Sequence, residues 1–164
     1  MECRTHDSDS KQNVYSELNV ALRNRHTHPS TFQKWKPYLF FLMAALEQLP
    51  QYTGVVYRGG NDGIDQQLVH KEYRKGRLIQ WSGFSSSTVD RSQALRFVRR
   101  DHGVLFKLSV VTGRDIGPYS FFRKENEILI SPRTRFLVTG DVYVDDEGYT
   151  CVDMMEVEDT ALSS

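Results

Sequence analysis

Val14, Leu18 and Leu22 recur at intervals of four with Tyr15 and Ala21 beside them, a spacing that predicts an amphipathic helix ending before His28-Pro29. A second apolar run follows Pro37, which suits the first turn of a helix, and stops before Pro50, which cannot continue one. Residues 37–49 are apolar nearly all round and therefore read as a buried core helix. Beyond Pro50 the pattern changes to short runs rich in β-branched and aromatic residues. Segments 54–58, 78–82, 104–111, 127–130, 135–139, 141–144 and 149–155 read as strands. One helix interrupts them, opened by Asp90-Arg91-Ser92-Gln93 as a capping box with an aspartate cap and buried through Ala94, Leu95 and Val98. Asp145-Asp146-Glu147-Gly148 reads as the hairpin turn between the last two strands. Helices gathered early and strands late, without regular alternation, predict an α+β fold.

Length and charge narrow the classes. The 164 residues, 39% hydrophobic and 26% charged, suit one globular domain, expected over residues 13–157 between a polar leader, 1–12, and a short tail, 158–164. Twenty-one basic residues balance twenty-one acidic ones, so no overall field favours a polyanion and no nucleic acid partner is expected. The basic segment 70–77 reads as a solvated face. Cys3 and Cys151 make neither a disulfide framework nor a metal-ligand spacing, and His6, His26, His28, His70 and His102 are scattered, so no metal is assigned. The longest apolar stretch, 38–46, is too short for a bilayer and the first ten residues lack a signal-peptide core. The expectation is a soluble monomer, cytoplasmic or delivered as an effector, with no membrane partner. Neither Gly-rich phosphate cradle of the common nucleotide folds is present.

Three segments carry candidate chemistry. In Val55-Val56-Tyr57-Arg58-Gly59-Gly60 an arginine ends an apolar strand before two glycines. Glycine lets a ligand approach the backbone and guanidinium suits phosphate, although a lone arginine at a strand end ordinarily reaches into water. In Trp81-Ser82-Gly83-Phe84-Ser85-Ser86-Ser87-Thr88 hydroxyls follow aromatic residues; alone, this is a polar loop leading to the helix capped at Asp90. The third is Phe121-Phe122-Arg123-Lys124-Glu125-Asn126-Glu127-Ile128-Leu129-Ile130. With Glu125 in extended geometry, Glu125 and Glu127 share one face about 6.6 Å apart while Asn126, Ile128 and Ile130 face the core. Two like charges on one face repel, unless the pair is a solvent-exposed strand end balanced by Arg123 and Lys124.

In this order, arginine, hydroxyl run and Glu-x-Glu resemble the arginine-serine-glutamate class of mono-ADP-ribosyltransferases, and the resemblance extends over residues 15–140. It implies N-terminal helices followed by a split pair of roughly perpendicular, mainly antiparallel sheets with NAD in the cleft between them. Arg58 matches the arginine that fixes the dinucleotide phosphates, and Gly59 the glycine whose backbone meets the nicotinamide amide. Ser86-Ser87-Thr88 matches the hydroxyl motif, with Ser86 orienting the catalytic glutamate and also facing NAD; Ser85 is the alternative if the register shifts by one. Glu127 matches that catalytic glutamate, whose charge offsets the cation developing on the ribose. Glu125 matches the residue that marks arginine-modifying members, where a carboxylate can hold and deprotonate a guanidinium. Phe122, with Phe121 as its rival, matches an aromatic that meets the acceptor. Phe97 reads as core packing beside Leu95 and Val98, although some toxin relatives place an aromatic there against nicotinamide, with Arg100 near the phosphates. The implied function is transfer of ADP-ribose from NAD, as co-substrate, to a protein arginine. An NAD glycohydrolase using the same residues is the alternative, and an inactive NAD- or protein-binding module is disfavoured by the presence of all three catalytic residue types.

Overall fold

In the computed structural model, which describes residues 17–60, 66–99, 103–117 and 126–158, a helix α1 (17–23) is followed by α2 (Pro29–Glu47) and β1 (Gln51–Gly60). Then come α3 (Gln66–Glu72), β2 (Leu78–Ile79), β3 (Ser85–Thr88), α4 (Arg91–Leu95) and β4 (Val104–Asp115). The chain continues through β5 (Glu127–Ile130), β6 (Arg135–Val138), β7 (Tyr143–Val144) and β8 (Thr150–Val157). This is the α+β order expected from the sequence. No described helix is long and apolar enough to cross a membrane.

Two groups of strands share β1 and β4. These long strands pair antiparallel from Gln51↔Arg114 to Gly60↔Val104. On one side β4 runs parallel to β8, which pairs antiparallel with β6 and β7, and β6 carries β2 at the edge. On the other, β3 lies between β1 and β5, and β5 returns to the far end of β4 at Arg114↔Leu129. Pairing is antiparallel except for β4 with β8, and the shared strands join both groups into one hydrogen-bonded path.

Alternation along β4 and β8 separates the interiors. Val104, Phe106, Leu108 and Val110 enter the main core with Val152, Met154, Val56, Ile128, Ile130 and Phe136. Leu105 and Cys151 turn to the opposite face, where Ala94 and Val98 cover them. A third cluster joins Leu18 and Leu22 of α1 and Leu46 of α2 to Phe84 and Leu129, so the helices sit against the strands that bear the candidate site.

Several elements differ from the sequence reading. Helix α2 begins at Pro29, whose fixed φ suits a first turn, and retains Pro37 in its interior. It is not a buried core helix. Phe32, Trp35, Leu39, Leu42, Met43 and Leu46 form one stripe against the third cluster, while Phe40 and Phe41, 71% and 70% exposed, lie off it. The hydroxyl run is strand β3, held between two neighbours that supply the backbone partners serine propensity would not predict. Asp90 caps α4 through Ser92 N–H at 2.9 Å, but Gln93 does not complete a reciprocal box: its Oε1 accepts from Thr88 Oγ1 at 3.1 Å, and Thr88 accepts from Asp90 N–H. The hairpin turn closes as expected, with Gly148 N–H on the Asp145 carbonyl at 3.0 Å.

Candidate active site

The β3–β5 register sorts the hydroxyl run into two faces. Ser85↔Ile130 and Ser87↔Ile128 pair on the side that points to the main core, where Ser87 Oγ donates to the Ile128 carbonyl at 2.7 Å. Ser86↔Leu129 and Thr88↔Glu127 pair on the other. Glu127 precedes Leu129 by two residues, so it lies on the face of Ser86 and diagonal to it, within reach of a short side chain. Ser86 Oγ donates to Glu127 Oε1 at 2.7 Å. Ser85 Oγ instead faces the Gly83 carbonyl at 3.5 Å.

Arg58 comes to the same place from β1. One Nη donates to the Ser86 carbonyl at 2.7 Å, and the guanidinium lies 5.7 Å from the centre of the Trp81 ring. Trp81 is fixed in turn by edge-on packing against Phe106 and by its indole N–H, which donates to Tyr73 OH at 3.3 Å. Burial is the main cause that lifts the Tyr73 phenol above its ordinary range, so it is neutral at physiological pH. Arg58 thus touches both the serine strand and the aromatic wall.

Beside Arg58, Gly59 is a close-approach position. A Cβ there would stand 2.5 Å from the Ala94 carbonyl and 2.8 Å from Val98 Cγ2, so α4 occupies the space a side chain would need. Phe97 also lies next to Gly59 but is 60% exposed, which corrects its reading as core. Ala94 and Val98, four residues apart, take the buried face and leave Phe97 outside it. Arg58, Gly59 and Gly60 line a cavity of about 470 Å³ with Tyr73, Trp81 and Ser85, a size that suits a small-molecule ligand. Asn19 and Arg23 of α1 complete its wall, a contribution that the sequence reading missed because no local spacing links α1 to these strands.

At the entrance to β5, Asn126 has φ of 82° and is exposed. The expectation that Asn126, Ile128 and Ile130 face the core therefore holds for the two isoleucines and not for Asn126. Glu125, Phe121, Phe122 and Arg100 lie outside the described residues. Among the described residues no group of three or more His, Cys, Asp or Glu side chains is arranged to hold a metal ion.

Residues 7–161 match the family model for NAD:arginine ADP-ribosyltransferase. The chain is 33% identical over 144 residues to the Mycobacterium avium (strain 104) protein Mav, whose name assigns it as an NAD(+)–arginine ADP-ribosyltransferase, covering 87% of this chain and 16% of Mav. It is 32% identical over 138 residues to human ecto-ADP-ribosyltransferase 5, covering 80% of this chain and 46% of that protein. The chain thus spans less than half the length of these curated relatives. Among solved structures, the ADP-ribosyltransferase Vis of Vibrio splendidus, in complex with the M6 inhibitor, aligns with a TM-score of 0.74 at 25% identity, covering 95% of this chain and 72% of that one.

Proposed function

This chain belongs to the NAD:arginine ADP-ribosyltransferase family, and we propose that it transfers ADP-ribose from NAD to the guanidinium of a protein arginine, releasing nicotinamide. The observation that carries this reading is the position of Ser86, whose carbonyl accepts from Arg58 on the cavity wall while its hydroxyl donates to Glu127.

Arg58 and Gly59 hold the dinucleotide. A guanidinium has five N–H donors, so Arg58 can keep the Ser86 carbonyl and still grip a phosphate. Phe97 is exposed and has its Cβ next to Gly59, so its ring offers the nicotinamide a surface to stack on. As the bond between ribose C1′ and nicotinamide breaks, its electron pair neutralises the pyridinium nitrogen, so the leaving group needs no proton. The difficulty is the positive charge left on the ribose. Glu127, oriented by Ser86, accepts a hydrogen bond from the 2′-hydroxyl and sets its charge beside that centre, help on the order of 3 kcal/mol. The arginine nitrogen then bonds to C1′ and gives up a proton. The match to the Glu-x-Glu motif gives that proton to Glu125, and gives Phe122 the acceptor's flank.

The test incubates the protein with adenine-labelled NAD, with and without a small guanidine acceptor, in wild type and Glu125→Gln. Label on the acceptor in wild type, and free ADP-ribose with little transfer in Glu125→Gln, are expected. Free ADP-ribose alone from wild type would make the protein a glycohydrolase, and no turnover at all would refute the reading. A proportional fall of both activities in the variant would remove the argument for arginine.

A further inference from the structure

Asn19 lies 39 positions before Arg58, yet its side chain is pinned to the strand that bears Ser86. Phe84 N–H donates to Asn19 Oδ1 at 2.9 Å, and Asn19 Nδ2 donates to the Phe84 carbonyl at 3.3 Å. Phe84 stands one residue before the β3–β5 ladder, which begins at Ser85↔Ile130. A primary amide presents one donor and one acceptor side by side, so Asn19 imitates a neighbouring strand at the point where the ladder has not yet started. The contact is tight. A Cβ on Gly83 would meet Asn19 Oδ1 at 2.8 Å, so the turn before β3 has a residue with no side chain where α1 crosses it. Leu18 and Leu22, on either side of Asn19, pack with Phe84 in one cluster and fix the depth of the helix.

We propose that Asn19 is a positioning residue for catalysis: by clamping both backbone groups of Phe84, it sets the height of β3 and aims the Ser86 hydroxyl, two residues on, at Glu127. The inference rests on the NAD-cleaving role of Ser86 and Glu127 given above. From Ser85 onward β3 is held by its ladder with β5, but Phe84 stands before that ladder, and there the two hydrogen bonds to Asn19 fix direction as well as place, which apolar contact alone does not. Asn19 also borders the cavity, so the rival role is direct contact with the dinucleotide. The two differ in what they change: a clamp acts on turnover through Ser86, and a ligand contact acts on affinity whether or not Ser86 is present.

The experiment measures steady-state NAD cleavage by wild type, Asn19→Ala, Ser86→Ala and the double variant, with thermal unfolding of each. Asn19→Ala is expected to lower kcat about tenfold, since a slight misplacement of a catalytic group is costly, with KM changed less than about twofold. In the Ser86→Ala background the same change should cost less than about twofold, because its effect travels through the missing hydroxyl. Gly83→Ala, whose added Cβ pushes Asn19 Oδ1 away while residue 19 stays asparagine, should reproduce the kcat loss. Additive losses, a loss confined to KM, or unchanged kcat in Asn19→Ala would overturn the proposal, as would failure of both Asn19→Ala and Gly83→Ala to fold. If instead Ser86→Ala cleaves NAD at the wild-type rate, the catalytic reading itself fails and the clamp has nothing to position.

Discussion

Ser86 and Glu127 are not partners in the β3–β5 ladder, where they face Leu129 and Thr88, yet Ser86 Oγ donates to Glu127 Oε1 at 2.7 Å. The diagonal arises because antiparallel pairing puts residues two apart on one face. A shift of β3 by one residue would send Ser86 to the core side and bring Ser85 or Ser87 to the glutamate. Ser86→Ala is therefore expected to lower kcat for NAD cleavage by about tenfold or more, and Ser85→Ala by much less. Steady-state kinetics on both variants decides it, and the reverse order would mean that the working register differs by one.

Gly59 is enclosed by α4. Gly59→Ala places a Cβ against the Ala94 carbonyl, which is backbone and cannot swing aside as a side chain can. The expected loss of stability is about 1–3 kcal/mol, the usual range for overpacking. Denaturant unfolding measures it. An unchanged midpoint would mean that α4 yields freely at this contact.

Arg58 meets Ser86, the Trp81 face and the cavity together. Arg58→Lys keeps the charge but loses the planar fork that binds phosphate with two prongs and lies over an indole. KM for NAD should rise by about tenfold, while kcat falls less. A KM equal to wild type would place Arg58 outside the dinucleotide site.

The residue types of the site were legible in the sequence, but its geometry was not. Arg58 at the end of an apolar run and Glu127 at the start of one stand out against ordinary strand composition. Ser85 to Thr88 resembled a loop because serine has little strand preference, and only pairing with β1 and β5, remote in sequence, makes that segment a strand. Pro37 looked like the start of a helix although Pro29, eight residues earlier, is the actual start. Asn126 adopts a left-handed backbone that asparagine tolerates, and no alternation of polar and apolar residues reports that. The bond between Asn19 and Phe84 spans 65 positions and leaves no local signature.

Away from the site, Asp145 anchors the last hairpin. Burial pulls its carboxyl upward, but backbone N–H bonds from Tyr149 and Glu147 and the Arg91 guanidinium, at 2.6 Å, outweigh burial and hold it below the usual carboxylate range. A lowered folded pKa means that the contribution to stability is complete above the unfolded value, about 3.9, and is lost as pH falls through the folded value. The gap in Tm between wild type and Asp145→Asn should therefore be widest near neutrality and close in acid. A gap that stays constant across that range would contradict the linkage.

In the proposed reaction, NAD cleavage depends on the charge that Glu127 supplies. The most direct measurement compares single-turnover release of nicotinamide by wild type and Glu127→Gln, with NAD affinity measured separately by calorimetry. The change keeps the shape and the Ser86 contact while removing the charge. The expected result is a rate lower by about 10² or more, with affinity within about threefold of wild type and an unchanged Tm. A folded Glu127→Gln protein that releases nicotinamide at close to the wild-type rate would contradict the account.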